Sequence, residues 1–316
     1  MASIDVNDFV VVRASSTSAK GAGLFAKRDL EPGHRVVCED PLLNCISLGM
    51  VESGLPSIGD FLSEDKKRQF ARLPAGPGDV FLVNASEAPD PDVLFTGGDH
   101  LMNRVRYNYV MIPTLPEQPI VGFYTAVASH SCAPNSYLCY NEITGSLDLH
   151  LVREVKKDEE ITVSYFQDDY AIPKTERAKR LEKWNFTCTC DCCTTNSATS
   201  DSRRNAMKAL FSDYDLLTAT RLMNEFEIAP SSGHDNQEDE YIWDLLSDLK
   251  QILQHMKDEG LYGLAMTWVL KDYAARHDEA GDSQNQQAAM SEALRIREMC
   301  LGIFHPETRA LAADIP

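Results

Sequence analysis

Two short stretches hold the side chains best suited to chemistry. One is SHSCAPNS, residues 129–136, with a histidine two positions before a cysteine. The other is NFTCTCDCC, residues 185–193, where four of the chain's nine cysteines fall within six positions. The first alone could be a Cys/His nucleophile pair, a metal site or a turn. The second contains C-x-C-x-x-C as Cys188, Cys190 and Cys193. Clustered thiols in a reducing compartment bind metal more readily than they form disulfides. Structural zinc takes four tetrahedral ligands, so three thiolates leave it one short. Cys192 stands between two of them, and its side chain is expected to point elsewhere. A distant cysteine then completes the set, and Cys132 is the best candidate. One Zn2+ would thus staple a late loop to the middle of the chain. Two other readings stay open at this point: three thiols completed by another ligand, and a cluster of free thiols.

The elements that must position these residues divide into a β-rich part and a helical part. Val10, Val11 and Val12 begin a strand pattern, KGAGLFA (20–26) reads as a glycine turn into a second strand, and HRVVCED (34–40) as another. Residues 46–105 read as an irregular, partly helical insertion, with SIGDFLSEDKKRQFARL (57–73) its helical piece. Strand signals return in IVGFYTAVA (120–128), SYLCYNEI (136–143), LDLHLVREV (147–155) and ITVSYF (161–166). PKTERAKRLEKW (173–184) reads as a basic helix leading into the cysteines. TTNSATSDSRRN (194–205) is polar and Ser/Thr-rich, which marks a linker. Beyond it the period turns helical: residues 205–226 read as one helix or two, SSGHDNQEDE (231–240) as a charged loop, and Ile242, Leu245, Leu249, Leu253 and Met256 as one apolar face. With no clear 34-residue repeat, the pattern predicts stacked helical hairpins.

The 316 residues suffice for two domains, and 43% hydrophobic with 25% charged residues is ordinary for a globular chain. The formal net charge is −18, with acidic excess in both parts. That argues against direct nucleic-acid binding, which needs positive charge, and suits a basic protein or peptide partner. No apolar run is long enough for a membrane helix, and the N-terminal stretch lacks the basic and apolar regions of a secretory leader. The expectation is a monomer without membrane contact, intracellular, in the cytoplasm and/or nucleus.

Four phrases in order, KGAGLFA (20–26), SHSCAPNS (129–136), DEEITVSYF (158–166) and FTCTCDCC (186–193), resemble the SET-domain family of protein lysine methyltransferases. The helical C-terminal part is similar to the SET-and-MYND type, although residues 46–105 lack the cysteines and histidines of a MYND zinc finger. The resemblance implies an α+β fold: a SET domain of small β-sheets with a knot-like crossing over residues 1–186, including the insertion at about 46–105. A zinc-bound post-SET loop follows over 187–194, then the linker 195–205 and an all-α, tetratricopeptide-like domain of stacked hairpins over 206–316. It implies S-adenosylmethionine as cofactor and one structural zinc. It places Lys20, Gly21, Ala22 and Gly23 in the turn that approaches the cofactor. Asn108, Ser129, His130 (through its backbone) and Phe186 are further cofactor contacts. Asn135 falls in the crossing, Tyr165 is the catalytic tyrosine, and Cys132 joins Cys188, Cys190 and Cys193 on zinc.

The chemistry explains these types. Methyl transfer from a sulfonium to an amine is an in-line displacement that needs a neutral amine, so burial must lower a lysine pKa from about 10.4. A tyrosine hydroxyl and backbone carbonyls can orient the polarised methyl group, and aromatic walls favour a cationic product. SYF and FYTAV offer Tyr165, Phe166, Phe123 and Tyr124 as such walls. Two features depart from the family pattern. Ser129 stands where asparagine is usual, and only four residues separate Tyr124 from Ser129, about two fewer than expected. The sequence therefore supports two functions. One is an S-adenosylmethionine-dependent lysine N-methyltransferase acting on a basic protein, histone or non-histone. The other is a SET-derived protein that has lost lysine methylation and serves as a binding module or a small-molecule enzyme.

Overall fold

The computed structural model describes residues 3–16, 18, 20–44, 62–96, 98–112, 115–166, 169, 171–226 and 235–315. Cys45, most of the early part of the insertion and residues 231–234 of the expected charged loop lie outside them.

The β-branched and apolar alternation of the first part gives β1 (Ser3–Asp5), β2 (Val10–Ala14), β3 (Ala22–Ala26), β4 (Arg35–Glu39) and β5 (Leu43–Asn44). The insertion supplies α1 (Glu64–Ala71), α2 (Pro91–Thr96) and α3 (Gly98–Asn108). Ser63 caps α1, its side chain accepting from Lys66 N–H. Next come β6 (Val110–Ile112), β7 (Leu115–Val121), β8 (Ser129–His130), β9 (Ser136–Asn141), β10 (Ser146–Leu151) and β11 (Glu160–Val163). The strands form three small sheets, ordered β1-β2-β3-β11-β8, β4-β10-β9 and β5-β7-β6. Their shared core holds Val10, Val12, Leu24, Val36, Leu149, Leu151, Ile161 and Val163.

The region 120–128 does not form the continuous strand its apolar run predicts. β7 ends at Val121, and Thr125–Val127 is a 3-10 turn. The cause is Glu39, whose carboxylate accepts the backbone N–H groups of Phe123, Tyr124 and Thr125 at 3.0, 2.9 and 2.8 Å. A carboxylate at the amino end of a turn satisfies donors that have no partner inside it. Gly122 is required here, because a Cβ would collide with Glu39 and Thr125.

β8 runs parallel to β11, with Thr162 opposite Ser129 and Val163 opposite His130. Asn135 pins the chain after β8 back onto β11. Its Nδ2 donates to Glu160 O at 2.8 Å, and its Oδ1 accepts from Thr162 N–H at 2.7 Å.

The C-terminal part is helical: α4 (Lys174–Leu181), α5 (Ser197–Phe226), α6 (Asp235–Asp258), α7 (Leu264–Glu279), α8 (Ser283–Leu301) and α9 (Pro306–Ala313). Each helix from α5 onward packs on the next. Leu245, Leu249, Leu253 and Met256 are buried as the periodicity predicts, with Ile242 half-buried. β9 contributes Tyr137 and Cys139 to this helical core, so the sheet β4-β10-β9 joins the two parts.

Two expectations are corrected. Residues 235–240, read as loop, are the first turns of α6. Residues 197–205, read as linker, open α5, a single helix. The reason is burial of Ser200 and Arg204, each 1% exposed. Glu259 accepts from Ser200 Oγ at 2.6 Å, Arg204 Nε at 3.2 Å and Arg203 Nη1 at 3.1 Å. A buried carboxylate satisfied this way fixes the polar segment in place.

Candidate functional site

The four sulfurs of Cys132, Cys188, Cys190 and Cys193 lie within 4.8 Å of one another. Cys132 Sγ is 3.9 Å from Cys188 Sγ and 3.5 Å from Cys193 Sγ. Cys192, though buried, is not part of the set. Four thiols so placed fit a tetrahedral zinc, for which Zn–S bonds of about 2.3 Å put the sulfurs roughly 3.7 Å apart. Charge supports the fit. Arg177 is fully buried, and its guanidinium meets Ile172 O, Cys192 O and Cys193 Sγ at 2.7, 3.3 and 3.7 Å. A buried cation facing carbonyls and sulfur needs local negative charge, which four thiolates around one Zn2+ would supply. Arg204 Nη2 donates to Cys132 O at 2.7 Å and ties α5 to the same loop.

His130 links this cluster to a neighbouring cavity. Its Nδ1 accepts from Tyr165 N–H at 3.1 Å, so its proton sits on Nε2, which lies 3.4 Å from Cys132 Sγ. Burial pushes its pKa down to about 3 and keeps the ring neutral. The imidazole therefore has a positioning job between sulfur and tyrosine. Phe186 packs edge-on against it, with ring centroids 6.2 Å apart.

The cavity, about 120 Å3, is lined by Lys20, Tyr107, Asn108, Tyr109, Tyr137, Tyr165, Lys183 and Trp184, with Ala126 on the turn that Glu39 holds. Tyr165 Oη donates to Ala128 O at 3.0 Å. Burial, with Tyr107 and Glu160 nearby, pushes the Tyr165 phenol up, so it stays protonated. Tyr107 and Trp184 lock to each other: Tyr107 Oη donates to Trp184 O at 3.1 Å and Trp184 Nε1 to Tyr107 O at 3.3 Å. The Lys20 side chain enters the cavity, where Nζ donates to Ala126 O at 2.6 Å and lies 5.6 and 5.8 Å from the ring centres of Tyr165 and Tyr107. Burial, then the charge of Lys183, lowers its pKa to about 7. Asn108 Nδ2 donates to Pro74 O and Arg104 O, which leaves its buried Oδ1 without a partner.

Of the residues singled out in sequence, Lys20, Asn108 and Tyr165 line this cavity. Gly21, Ala22, Gly23, Ser129, His130 and Phe186 stand around it without lining it. Gly21 adopts φ 69°, and a Cβ there would come 2.8 Å from Val80 Cγ1. A Cβ at Gly23 would collide with the Glu160 carboxylate. Ser129 Oγ donates to that same carboxylate at 2.6 Å. Glu160, expected only to mark strand entry, is thus a polar contact of the glycine turn. Of the four aromatics expected as walls, only Tyr165 serves. Phe123 packs in the core against Phe81, Phe166 packs against His130, and Tyr124 is half-buried beside Phe123. The walls that sequence reasoning missed are Tyr107, Tyr109, Tyr137 and Trp184. The first two flank Asn108, which was the available signal.

The cavity's chemistry is fit to hold a cation. A carbonyl oxygen and two aromatic rings now surround the Lys20 amine, and the same groups suit the positive end of a sulfonium methyl donor. Fold and site together define an α+β protein with a thiol cluster wired through one imidazole to an aromatic pocket. Residues 21–166 match the family model described as SET domain. The histone-lysine N-methyltransferase SET5 of Eremothecium gossypii is 38% identical over 66 residues, 21% of this chain and 13% of that protein. The protein of the same name from Saccharomyces cerevisiae is 30% identical over 88 residues, 28% of this chain and 16% of that protein. The chain belongs to the SET-domain family. The matched stretches span less than a fifth of those relatives. Among the described residues, no helix is long and apolar enough to cross a membrane.

Proposed function

We propose that the protein is an S-adenosylmethionine-dependent protein lysine N-methyltransferase acting on a basic protein. The observation that carries this is the convergence of the Tyr165 phenol and the Ala126–Ala128 turn on an aromatic cavity that already holds a desolvated amine. The net charge of −18 favours a basic partner, and the two relatives are named for histone-lysine methylation.

S-adenosylmethionine, when bound, supplies an electrophilic methyl group on a sulfonium. Lys20, Gly21, Ala22, Gly23, Asn108, Ser129, His130 and Phe186 are the residues we assign to hold it. The orphaned Asn108 Oδ1 offers an acceptor. Tyr165 is assigned to orient the acceptor amine, with Ala126 O and Ala128 O beside it. The walls of Tyr107, Tyr109 and Trp184 exclude water and so keep the amine neutral. Zinc on Cys132, Cys188, Cys190 and Cys193 is structural: it fixes Cys132, and through His130 the backbone of Tyr165. We read residues 206–316 as a tetratricopeptide-like set of stacked hairpins.

Calorimetry with S-adenosylmethionine on the zinc-loaded chain tests the reading, followed by transfer to lysine-rich proteins with Tyr165→Phe as control. A second reading, a SET-derived protein that no longer methylates lysine, is favoured by one specific observation. The Ser129 hydroxyl and the space beside Gly23 are both taken by Glu160. Absence of cofactor binding would decide for it.

A further inference from the structure

The methyl-transfer reading sets four requirements on an acceptor lysine: an amine shielded from water, a carbonyl to hold it, the Tyr165 ring beside it and cation-stabilising walls. Lys20, in the chain itself, meets all four. It is 4% exposed, its Nζ is 2.6 Å from Ala126 O, and the Tyr165 and Tyr107 rings flank it at under 6 Å. We infer that Lys20 is an internal methyl acceptor, and that the protein methylates its own Lys20 side chain within one molecule.

The placement is built into the fold. Lys20 O accepts from Phe81 N–H at 2.8 Å and Lys20 N–H donates to Ser18 Oγ at 3.1 Å, which fixes the backbone and aims the side chain inward. Its pKa of about 7 leaves roughly half the amines neutral at pH 7, so no separate base has to generate the nucleophile. Lys183, the other lysine of the cavity, does not meet the requirements, because its Nζ lies over Trp184 at 3.7 Å on an exposed side chain. In the step, the Lys20 nitrogen donates its lone pair to form the N–C bond. The bond from that methyl carbon to sulfur breaks with its pair left on sulfur. The resulting methylammonium releases a proton to water if it is to react again. The aromatic rings favour the cationic product, so methylated Lys20 would keep its place and occupy the acceptor position against outside lysines.

This rests on the methyl-transfer reading, and the experiment separates the two. The full zinc-loaded chain is incubated with S-adenosylmethionine carrying an isotopically heavy methyl group, and peptides containing Lys20 are weighed. The expected result is label on Lys20 with a rate constant unchanged over a hundredfold range of protein concentration, and none at that position in Lys20→Arg. Binding of cofactor by calorimetry with Lys20 unlabelled would overturn the inference and leave the reading standing. A rate constant rising with protein concentration would overturn transfer within one molecule. No cofactor binding would overturn both. A readout independent of turnover is the affinity of Lys20→Met for S-adenosylhomocysteine, expected to be no tighter than that of the natural chain. A tenfold tightening would put the amine in the cofactor's own space and overturn the acceptor assignment.

Discussion

The cysteine cluster and the aromatic cavity meet at His130 and are built from opposite materials. The cluster gathers four copies of one residue type, three of them within six positions, and its geometry follows from what a tetrahedral ion needs. The cavity gathers a lysine from a turn, two tyrosines around the end of α3, one after β11, and a tryptophan after α4. No two of these types need each other chemically until the fold removes water from between them. A metal site is specified by count and spacing, whereas a desolvated amine is specified by everything packed around it.

The sharpest way to break the comparison is to remove the metal. Structural zinc contributes about 10 kcal/mol or more to folding of small sites. Cys132→Ser should lower bound zinc, measured by elemental analysis, and reduce thermal stability by more than any other change considered. Chelation of the natural chain should do the same. Tyr165 should respond too, since Cys132 reaches it through His130. Full retention of one tight zinc in Cys132→Ser would remove Cys132 from the ligand set.

The cavity responds to pH where the cluster responds to chelators. Lys20 has a pKa of about 7 folded and an ordinary 10.5 unfolded. Between these values the unfolded chain binds more protons, so this group's contribution to stability rises with pH from about 7 to 10.5, and is lost as pH falls back through 7. The full span is roughly 4–5 kcal/mol. Lys183, Tyr107 and Tyr165 face the same amine, and all of them remain in Lys20→Met. The difference between the two proteins in urea unfolding across this window isolates Lys20. Parallel pH profiles would show that the amine is not desolvated.

Much of this was legible and some was not, for identifiable reasons. The strands around Val10–Ala14, Ala22–Ala26 and Glu160–Val163 follow from alternation. The four-cysteine set follows from ligand arithmetic. Residues 197–205 read as linker because serine and threonine compete locally with helix hydrogen bonds. The carboxylate that buries Ser200 and Arg204 is Glu259, more than fifty positions away, and no local pattern announces it. The 3-10 turn at 125–127 was hidden in the same way, since its cap is Glu39. Trp184 and Tyr107 read as core aromatics until their reciprocal hydrogen bonds place them on the cavity wall.

The catalytic end of the cavity should yield a smaller effect than the pH span. Tyr165→Phe removes the phenol beside the transfer position and its bond to Ala128 O while keeping the ring. Loss of one such oriented group slows related reactions by about 10²–10³-fold, or roughly 3–4 kcal/mol in the barrier. Single-turnover methyl transfer at saturating cofactor is the measurement, and an unchanged rate would reject the assignment of Tyr165.

The smallest effect concerns Ser129. Its hydroxyl donates to Glu160 inside the sheet, so the side chain serves the strand pair β8–β11 before it serves any ligand. A single hydrogen bond to a charged group contributes about 1.5–3 kcal/mol, and less where the acceptor keeps some contact with water, as half-buried Glu160 does. Ser129→Ala should therefore cost about 1 kcal/mol in urea unfolding, and the larger share of its effect should appear there. Ser129→Asn sharpens the point. If the space beside Gly23 is the cofactor's, the amide should compete with Glu160 for it and raise affinity for S-adenosylhomocysteine up to about tenfold. If the space belongs to Glu160, the bulkier amide has nowhere to go, and stability falls with no gain in affinity. The second outcome would make this corner of the fold, unlike the cysteine cluster, a place where the family's sequence position is kept and its ligand contact is not.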